Sequence, residues 1–396
     1  MDVVRRNRSR CACAKWCSVA EYEHVVDPSE WDEPFGHAEI VRGLWRAARA
    51  QRLPHALLFS GPPGVGKLRA ARWLTLGLLC ARGIPVEGGA PCGVCGPCKR
   101  LRANSHPDCL LVDVRQEHPD KRSEELRIGR FVRRTEPNAW DGPVPEEFQS
   151  LRASEGGRRV IHVREIERAN EHAQNSMLKM LEEPADEVLW ILECSHPTQL
   201  LPTVHSRCVS VRFEKLATED VVRALRAHDV DPQLAPQLAR WSAGSMGEAL
   251  RMHAEHVWEM RALLDLVLRG SVAPTTAAQA FWELDGTFEG KTPKAQERAR
   301  LRPMLDLAAA VLADFERYAC GASASELLHG DLVAGEPLPG SVCSSGARVR
   351  ALETVLTLRA DVEANIDPAL LLERALLELA PGAVRRPTAP PARSRP

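Results

Sequence analysis

A glycine-rich segment that ends in a lysine is the first candidate for chemistry in this sequence. After the apolar run "ALLFS" the chain reads "GPPGVGKL", which places Gly61, Gly64, Gly66 and Lys67 at the spacing of a P-loop, and a helical pattern follows. In such a loop the backbone N–H groups converge on phosphate oxygens, and the lysine reaches the outer phosphates. The segment therefore predicts a site for the phosphates of a nucleotide, with ATP as the expected ligand.

The residues that would hold magnesium beside this loop are missing. A working P-loop continues with Ser or Thr, whose hydroxyl binds the metal, and here that position is Leu68. The apolar run "RVIHV" ends in Arg164 and Glu165, where a P-loop ATPase places a metal-binding Asp followed by a Glu that activates water. Glu165 can still orient a water molecule, but both protein ligands to magnesium are absent. The sequence thus favours ATP binding without efficient hydrolysis.

Four cysteines form the second candidate site. Cys80, Cys92, Cys95 and Cys98 follow the pattern C-x₁₁-C-x₂-C-x₂-C, and four thiolates complete the tetrahedral coordination of one zinc ion. Because no coordination position stays open for a substrate, such a site is structural. An iron–sulfur cluster also takes four cysteines, and a redox dithiol is a further possibility, so the count alone does not identify the metal.

Both sites need an α/β scaffold, and the sequence predicts one. Short apolar runs alternate with helical patterns over residues 31–213, as expected for buried parallel strands joined by crossover helices. Beyond this domain the apolar positions recur at helical spacing, which predicts a small helical domain over 214–255 and a larger one over 256–380. We expect residues 1–30 to form a loosely ordered extension and the Pro- and Arg-rich residues 381–396 to form a disordered tail.

Composition limits the function classes. The 396 residues include 52 basic and 53 acidic side chains, so the formal charge of −1 gives no overall attraction to a polyanion, and any DNA contact must be local or shared with partners. No apolar run approaches the roughly 20 residues of a membrane span, and no apolar segment follows the N-terminal arginines as in a secretory signal. We therefore expect a cytoplasmic protein with no membrane association.

The segment after the "RVIHV" run carries a family resemblance. It reads "NEHAQNSMLKMLEEPADEVLWILECSHPTQLLPTVHSRC" and is similar to the clamp-loader family of bacterial DNA polymerase III. The matching positions of its first block are Asn170, Ala173, Asn175, Leu178, Lys179, Leu181, Glu182, Glu183 and Pro184, and the second block is 200–208. The resemblance implies a P-loop AAA+ domain with a parallel sheet, flanking helices and a zinc module at 80–98, followed by a helical lid and an all-helical collar.

The same resemblance implies roles for single residues and partners. Arg207 in the motif "SRC" is expected to be an arginine finger that enters the nucleotide site of an adjacent subunit, although it can also pair with a carboxylate of its own chain. The family places a structural zinc at the position of the four cysteines. It also implies a hetero-pentameric loader that opens a sliding clamp and places it on primed DNA as part of the DNA polymerase III holoenzyme.

Three departures from an active family member favour one kind of subunit. Besides Leu68 and Arg164, the chain has Gly247 where related ATPase subunits carry a nucleotide-sensing arginine. A subunit that gives a finger but lacks its own hydrolytic parts resembles the delta-prime kind, which is not an ATPase by itself. One alternative is an active motor subunit of the gamma or tau kind. Another is a zinc-dependent nucleic-acid-binding module on a degenerate nucleotide fold.

Overall fold

The computed structural model describes residues 28–86, 88–114, 125–136, 140–155, 157–288, 292–335, 344–362, 364 and 366–381. The predicted extension as far as residue 27 and the predicted tail from residue 382 lie outside the described residues. The described parts of Met1–Ala224 and Gly244–Gly247 form one compact unit, and those of Leu225–Ala243 and Glu248–Pro396 form a second.

A parallel five-stranded sheet lies at the centre of the first unit. Its short strands are β1 Ala56–Ser60, β2 Cys109–Val112, β3 Arg159–Val163, β4 Val188–Cys194 and β5 Val209–Arg212. β1, β3 and β4 are buried, whereas β5 is largely exposed. They lie in the order β2-β3-β4-β1-β5, so β4 separates β1 from β3. In an open parallel sheet, the loops after the carboxyl ends of neighbouring strands share one edge and form the ligand crevice. The segments after β1, β3 and β4 therefore meet at one edge of this sheet.

Helices cover both faces of the sheet. They are α1 Ala38–Arg49, α2 Lys67–Leu78, α3 Gly96–Arg102, α4 Pro145–Ser150, α5 Glu171–Glu182, α6 Pro202–His205 and α7 Thr218–Ala227. Along β1 the side chains alternate, so Leu57 and Phe59 pack in one apolar core with residues of α1 and α2, whereas Leu58 packs in the other with residues of α5. The predicted α/β fold of parallel strands and crossover helices is confirmed, and β2 and β5 are additions to it.

The second unit contains helices and no strand among its described residues. Its helices are α8 Ala235–Trp241, α9 Met246–Ala254, α10 Val257–Leu268, α11 Pro274–Glu283, α12 Pro293–Ala319, α13 Gly330–Val333, α14 Ser345–Asp361 and α15 Pro368–Leu379. Helix α7 ends in this unit, and α9 begins in the short 244–247 piece of the first unit. Asp367 caps α15 by accepting a hydrogen bond from the N–H of Ala369. The predicted helical region after the α/β domain is thus confirmed.

Helix length and polarity also bear on membranes. Among the described residues, no helix combines the length and the apolar character that a transmembrane segment requires.

Candidate functional site

The glycine-rich segment after β1 forms a tight loop. Gly61, Gly64 and Gly66 all have positive φ angles, of 153°, 74° and 102°. A side chain on Gly61 would place its Cβ 2.2 Å from the carbonyl oxygen of Phe213, so only glycine fits there. Gly66 is the N-cap residue of α2, which begins at Lys67. Strand, loop and helix therefore stand in the predicted order, with the N-terminus of α2 at the carboxyl edge of the sheet.

The side chain of Lys67 is bound within its own loop. Its Nζ donates hydrogen bonds to the carbonyl oxygens of Gly61 and Pro62, both at 2.7 Å, and to Oγ of Ser195 at 3.0 Å. Burial lowers the pKa of Lys67, and the nearby carboxylates of Glu193 and Glu167 oppose that shift. These three bonds account for the three protons of the ammonium group. A phosphate that enters the loop has to replace at least one of them.

A second segment packs directly on the P-loop. Ser245 donates a hydrogen bond from Oγ to the carbonyl oxygen of Pro63 at 3.0 Å, and the N–H of Gly247 donates to the carbonyl oxygen of Gly64 at 2.9 Å. A Cβ on Gly247 would lie 2.9 Å from Cα of Gly64. The glycine at 247 is therefore required by the close approach of the two backbones, and an arginine there would force the segments apart.

An arginine stands where an ATPase carries its metal-binding Asp. Nη1 of Arg164 lies 2.6 Å from Oδ2 of Asp113, which follows β2, and both side chains are largely buried. Leu68 occupies the first turn of α2, where it offers no oxygen to a metal. Glu165 adopts a left-handed backbone conformation with φ of 45°, and its carboxylate lies 2.6 Å from Nε of Arg168. The carboxyl edge of the sheet thus carries a cation of the protein itself, Arg164, where an ATPase has its metal-binding Asp.

A buried His–Glu pair lies behind Lys67 and was missed by sequence reasoning. Nε2 of His162 on β3 contacts Oε1 of Glu193 on β4, and both side chains are almost fully buried. Burial alone would raise the pKa of Glu193, but His162, Arg164 and Lys67 together hold it below its ordinary value. The signal that could have revealed this pair is the carboxylate of Glu193, which interrupts the apolar run "VLWILEC".

Arg207 follows α6 and contacts its own chain. Its Nε donates to Oε1 of Glu182 at 2.8 Å, and its Nη2 donates to the same oxygen. Nη1 donates to the carbonyl oxygen of Thr203 at 2.8 Å and to Oγ of Ser206 at 3.3 Å. The side chains of Arg207 and Glu182 are 30% and 48% exposed, so the pair is open to solvent. The sequence had left pairing with a local carboxylate open, and the structure shows such a pair.

The four predicted cysteines come together at one point. The Sγ atoms of Cys80, Cys92, Cys95 and Cys98 all lie within 4.8 Å of one another, with 3.5 Å between those of Cys80 and Cys92. Four thiolates about 2.3 Å from one zinc ion are spaced by about 3.8 Å, so the cluster has the size that a single tetrahedral ion requires. A polynuclear iron–sulfur core needs a wider opening. Gly93, whose φ is 66°, makes the turn between the second and third cysteines.

Comparison with known proteins gives matches to subunits of DNA polymerase III. Residues 36–217 match the family model described as "DNA polymerase III, delta subunit". The delta' subunit of Bacillus subtilis (strain 168) is 32% identical over 54% of this chain and 58% of its own length. The delta' subunit of Pseudomonas aeruginosa is 33% identical over 56% of this chain and 62% of its own length. The tau subunit of Escherichia coli (strain K12) is 28% identical over 57% of this chain and 32% of its own length.

The matched region is the one that carries both candidate sites. It contains the P-loop, the four cysteines and Arg207, and the chain spans less than two thirds of the length of these relatives. The family model matches the region that forms the parallel sheet and the P-loop, and the relatives are subunits of the same polymerase. Residues 36–217 of this chain are therefore similar to the delta' and tau subunits of DNA polymerase III.

Proposed function

We propose that this chain is a delta-prime-like subunit of the replicative clamp loader. In this role it joins other loader subunits in a hetero-pentamer in the cytoplasm, and the assembly loads a sliding clamp onto primed DNA. The chain itself hydrolyses ATP weakly or not at all, and it supplies Arg207 as an arginine finger to the nucleotide site of a neighbouring ATPase subunit.

The Arg164–Asp113 ion pair is the observation that carries this proposal. A P-loop ATPase holds magnesium with the hydroxyl after its P-loop lysine and with an Asp at the end of another strand of the same sheet. Here Leu68 offers no hydroxyl, and Arg164 brings a positive charge to the strand end and binds Asp113. A guanidinium at the position of a metal ligand repels a divalent cation, so the positive charge of Arg164 weakens magnesium binding further than the loss of the two ligands does.

The contacts of the P-loop support the same conclusion. Lys67 is satisfied by groups of its own chain, and Gly247 lies against Gly64 where a nucleotide-sensing side chain has no room. ATP binding therefore has to displace internal hydrogen bonds, and magnesium finds neither the hydroxyl at 68 nor the Asp at 164 of an active P-loop ATPase. Glu165, which is held beside Arg168, has no metal-bound nucleotide to act upon in this subunit.

The assignment of Arg207 as a finger rests on its place in the sequence motif and on its chemistry. The side chain is partly exposed at the end of α6, and a guanidinium carries a permanent charge in a planar array of donors that matches phosphate oxygens. Such fingers supply roughly 10³- to 10⁵-fold in the rate of phosphoryl transfer.

We also propose that the four cysteines bind one structural zinc ion. The compact Sγ cluster supports a single tetrahedral ion, and the four thiolates leave no position for a substrate. Zinc bound there would fix the segment between α2 and α3 without taking part in a reaction.

ATP turnover by the purified loader tests the proposal. The isolated chain should be inactive, and Arg207→Ala in the assembled loader should abolish turnover at the one site that the finger faces. Lys67→Ala should change the loader's turnover less, and Arg212→Ala, which removes an exposed arginine from β5, should leave it unchanged. ATP hydrolysis by the isolated chain that Lys67→Ala abolishes would instead establish the motor kind of subunit.

A further inference from the structure

The guanidinium of Arg207 is almost fully engaged on its own chain. A guanidinium has five N–H donors. Glu182 accepts from Nε and from Nη2, while Thr203 and Ser206 accept from Nη1. A γ-phosphate bound by two donors of this group would therefore compete with the contacts that the arginine already makes.

The charge of Glu182 opposes the action of a finger more directly than the lost donors do. An arginine finger works because its positive charge neutralises negative charge that develops on the transferred phosphoryl group. Oε1 of Glu182 lies 2.8 Å from Nε of Arg207, and a carboxylate at that distance cancels most of the field of the guanidinium. Paired in this way, Arg207 cannot give its full effect to a neighbour.

The position of the pair makes it easy to open. Glu182 is the last residue of α5, and Arg207 lies two residues after α6. With 48% of the Glu182 side chain and 30% of the Arg207 side chain exposed, the pair is in contact with solvent, where ion pairs are weak. A phosphate of higher charge in a site closed by two subunits can exchange with this carboxylate.

We propose that Glu182 is a latch that holds Arg207 on its own chain until a neighbouring subunit presents ATP. Glu182 is thus a positioning residue that acts through Arg207 and sets the idle rate of the loader, and the inference rests on the proposed function of Arg207 as a finger. In the working loader, clamp and primed DNA bring the neighbour's nucleotide close enough to replace Glu182, so the latch limits turnover only before these substrates are bound.

The test compares three variants in the complete purified loader, with and without clamp and primed DNA. Glu182→Gln keeps the shape of the side chain and removes its charge, Glu183→Gln makes the same change at the next exposed residue, and Arg207→Ala removes the finger. Without clamp and DNA, Glu182→Gln should raise kcat for ATP by about 1.4- to 5-fold, the factor that corresponds to the usual strength of an exposed ion pair. The KM for ATP and the DNA-stimulated rate should not change, and the melting temperature of the isolated chain should fall by no more than about 2–4 °C.

Each outcome bears on one statement. A rate for Glu182→Gln equal to those of the wild type and of Glu183→Gln, with Arg207→Ala impaired, shows that the pair does not restrain the finger. A lower rate for Glu182→Gln than for Glu183→Gln shows that Glu182 orients the finger productively, which also overturns the latch. If Arg207→Ala leaves the turnover of the loader unimpaired, the proposed role of Arg207 as an arginine finger is wrong, and the latch proposal falls with it.

Discussion

The ion pair between Arg164 and Asp113 gives the sharpest prediction about the edge of the sheet. Arg164→Met keeps the unbranched inner part of the side chain and removes its charge, so Asp113 loses the cation that lies 2.6 Å away. Breaking a buried pair from one side costs about 3–5 kcal/mol, because the remaining charge stays desolvated. The two side chains are 15% and 6% exposed, so we expect the low end, a loss of about 3 kcal/mol in the unfolding free energy of the first unit.

Hydrogen exchange of the backbone amides of β3 is the suitable assay, because it reports on this unit separately from the helical one. Asp113→Asn should cost a similar amount, and the double variant should recover at least about 1.5 kcal/mol relative to the sum of the single variants. Arg168→Met is the matched control. It removes the Arg168–Glu165 pair, which has the same 2.6 Å separation but side chains 42% and 32% exposed, and it should cost less than about 1 kcal/mol.

The reasoning fails if Arg164→Met costs no more than Arg168→Met, or if the effects of Arg164→Met and Asp113→Asn simply add. Either result would mean that the guanidinium at residue 164 does not hold this edge together. The view that an internal cation stands in place of a magnesium ligand would then lose its support.

Three further predictions concern other parts of the chain. The purified protein should release one zinc ion per chain, and Cys98→Ser should abolish this while Cys320→Ser, which changes an exposed thiol, should not. Burial lowers the pKa of His329 from 6.5 to about 4, so the unfolded chain binds a proton that the folded one does not, and the second unit should lose about 3 kcal/mol as the pH falls from 6.5 to 4. His329→Asn should flatten that pH dependence in urea unfolding. Arg133→Lys should cost about 1–2 kcal/mol and speed exchange over 140–147, because lysine cannot reproduce the bidentate contact with Glu147 and the bonds to two carbonyl oxygens.

Each of these three predictions has its own contradicting result. Equal zinc content in the Cys98→Ser and Cys320→Ser proteins would remove Cys98 from the metal site. His329 is expected to resist protonation because its Nδ1 accepts a hydrogen bond from Arg261. If the His329→Asn protein keeps the pH dependence of the wild type, another group is responsible for it. Unchanged exchange over 140–147 in Arg133→Lys would show that the backbone there is held by other contacts.

Local patterns explain why the sequence predicted so much of this molecule. The P-loop needs only one strand, one loop and one helix in succession, and all of its residues lie between Gly61 and Lys67. The four cysteines lie between Cys80 and Cys98, so a few turns suffice to bring them together. In both cases the spacing along the chain already limits the geometry.

The contacts that decide the chemistry of the site are long-range, and the spacing along the chain does not limit them. Arg164 meets Asp113 across 51 positions, and His162 meets Glu193 across 31. Both depend on the order β2-β3-β4, which places β3 beside two strands that are distant in sequence. β2 itself is a four-residue run, "CLLV", too short to stand out from the sequence. The loss of the magnesium ligands and the arginine at 164 were therefore predictable, whereas the pairing of Arg164 with Asp113 and of His162 with Glu193 was not.

Taken together, the charges at this edge are balanced without a ligand. An active P-loop ATPase sets its lysine and a magnesium ion against the phosphates of the nucleotide. In this chain Arg164 faces Asp113, and the pKa of Glu193 is held down by His162, Arg164 and Lys67, so cations and carboxylates of the protein compensate one another. In the absence of ATP, Lys67 contributes its three hydrogen bonds to the fold of the loop. This is the physical reason to expect that Lys67→Ala disturbs the loader less than Arg207→Ala, since the lysine stabilises its own subunit while the arginine is proposed to serve the reaction of a neighbouring subunit.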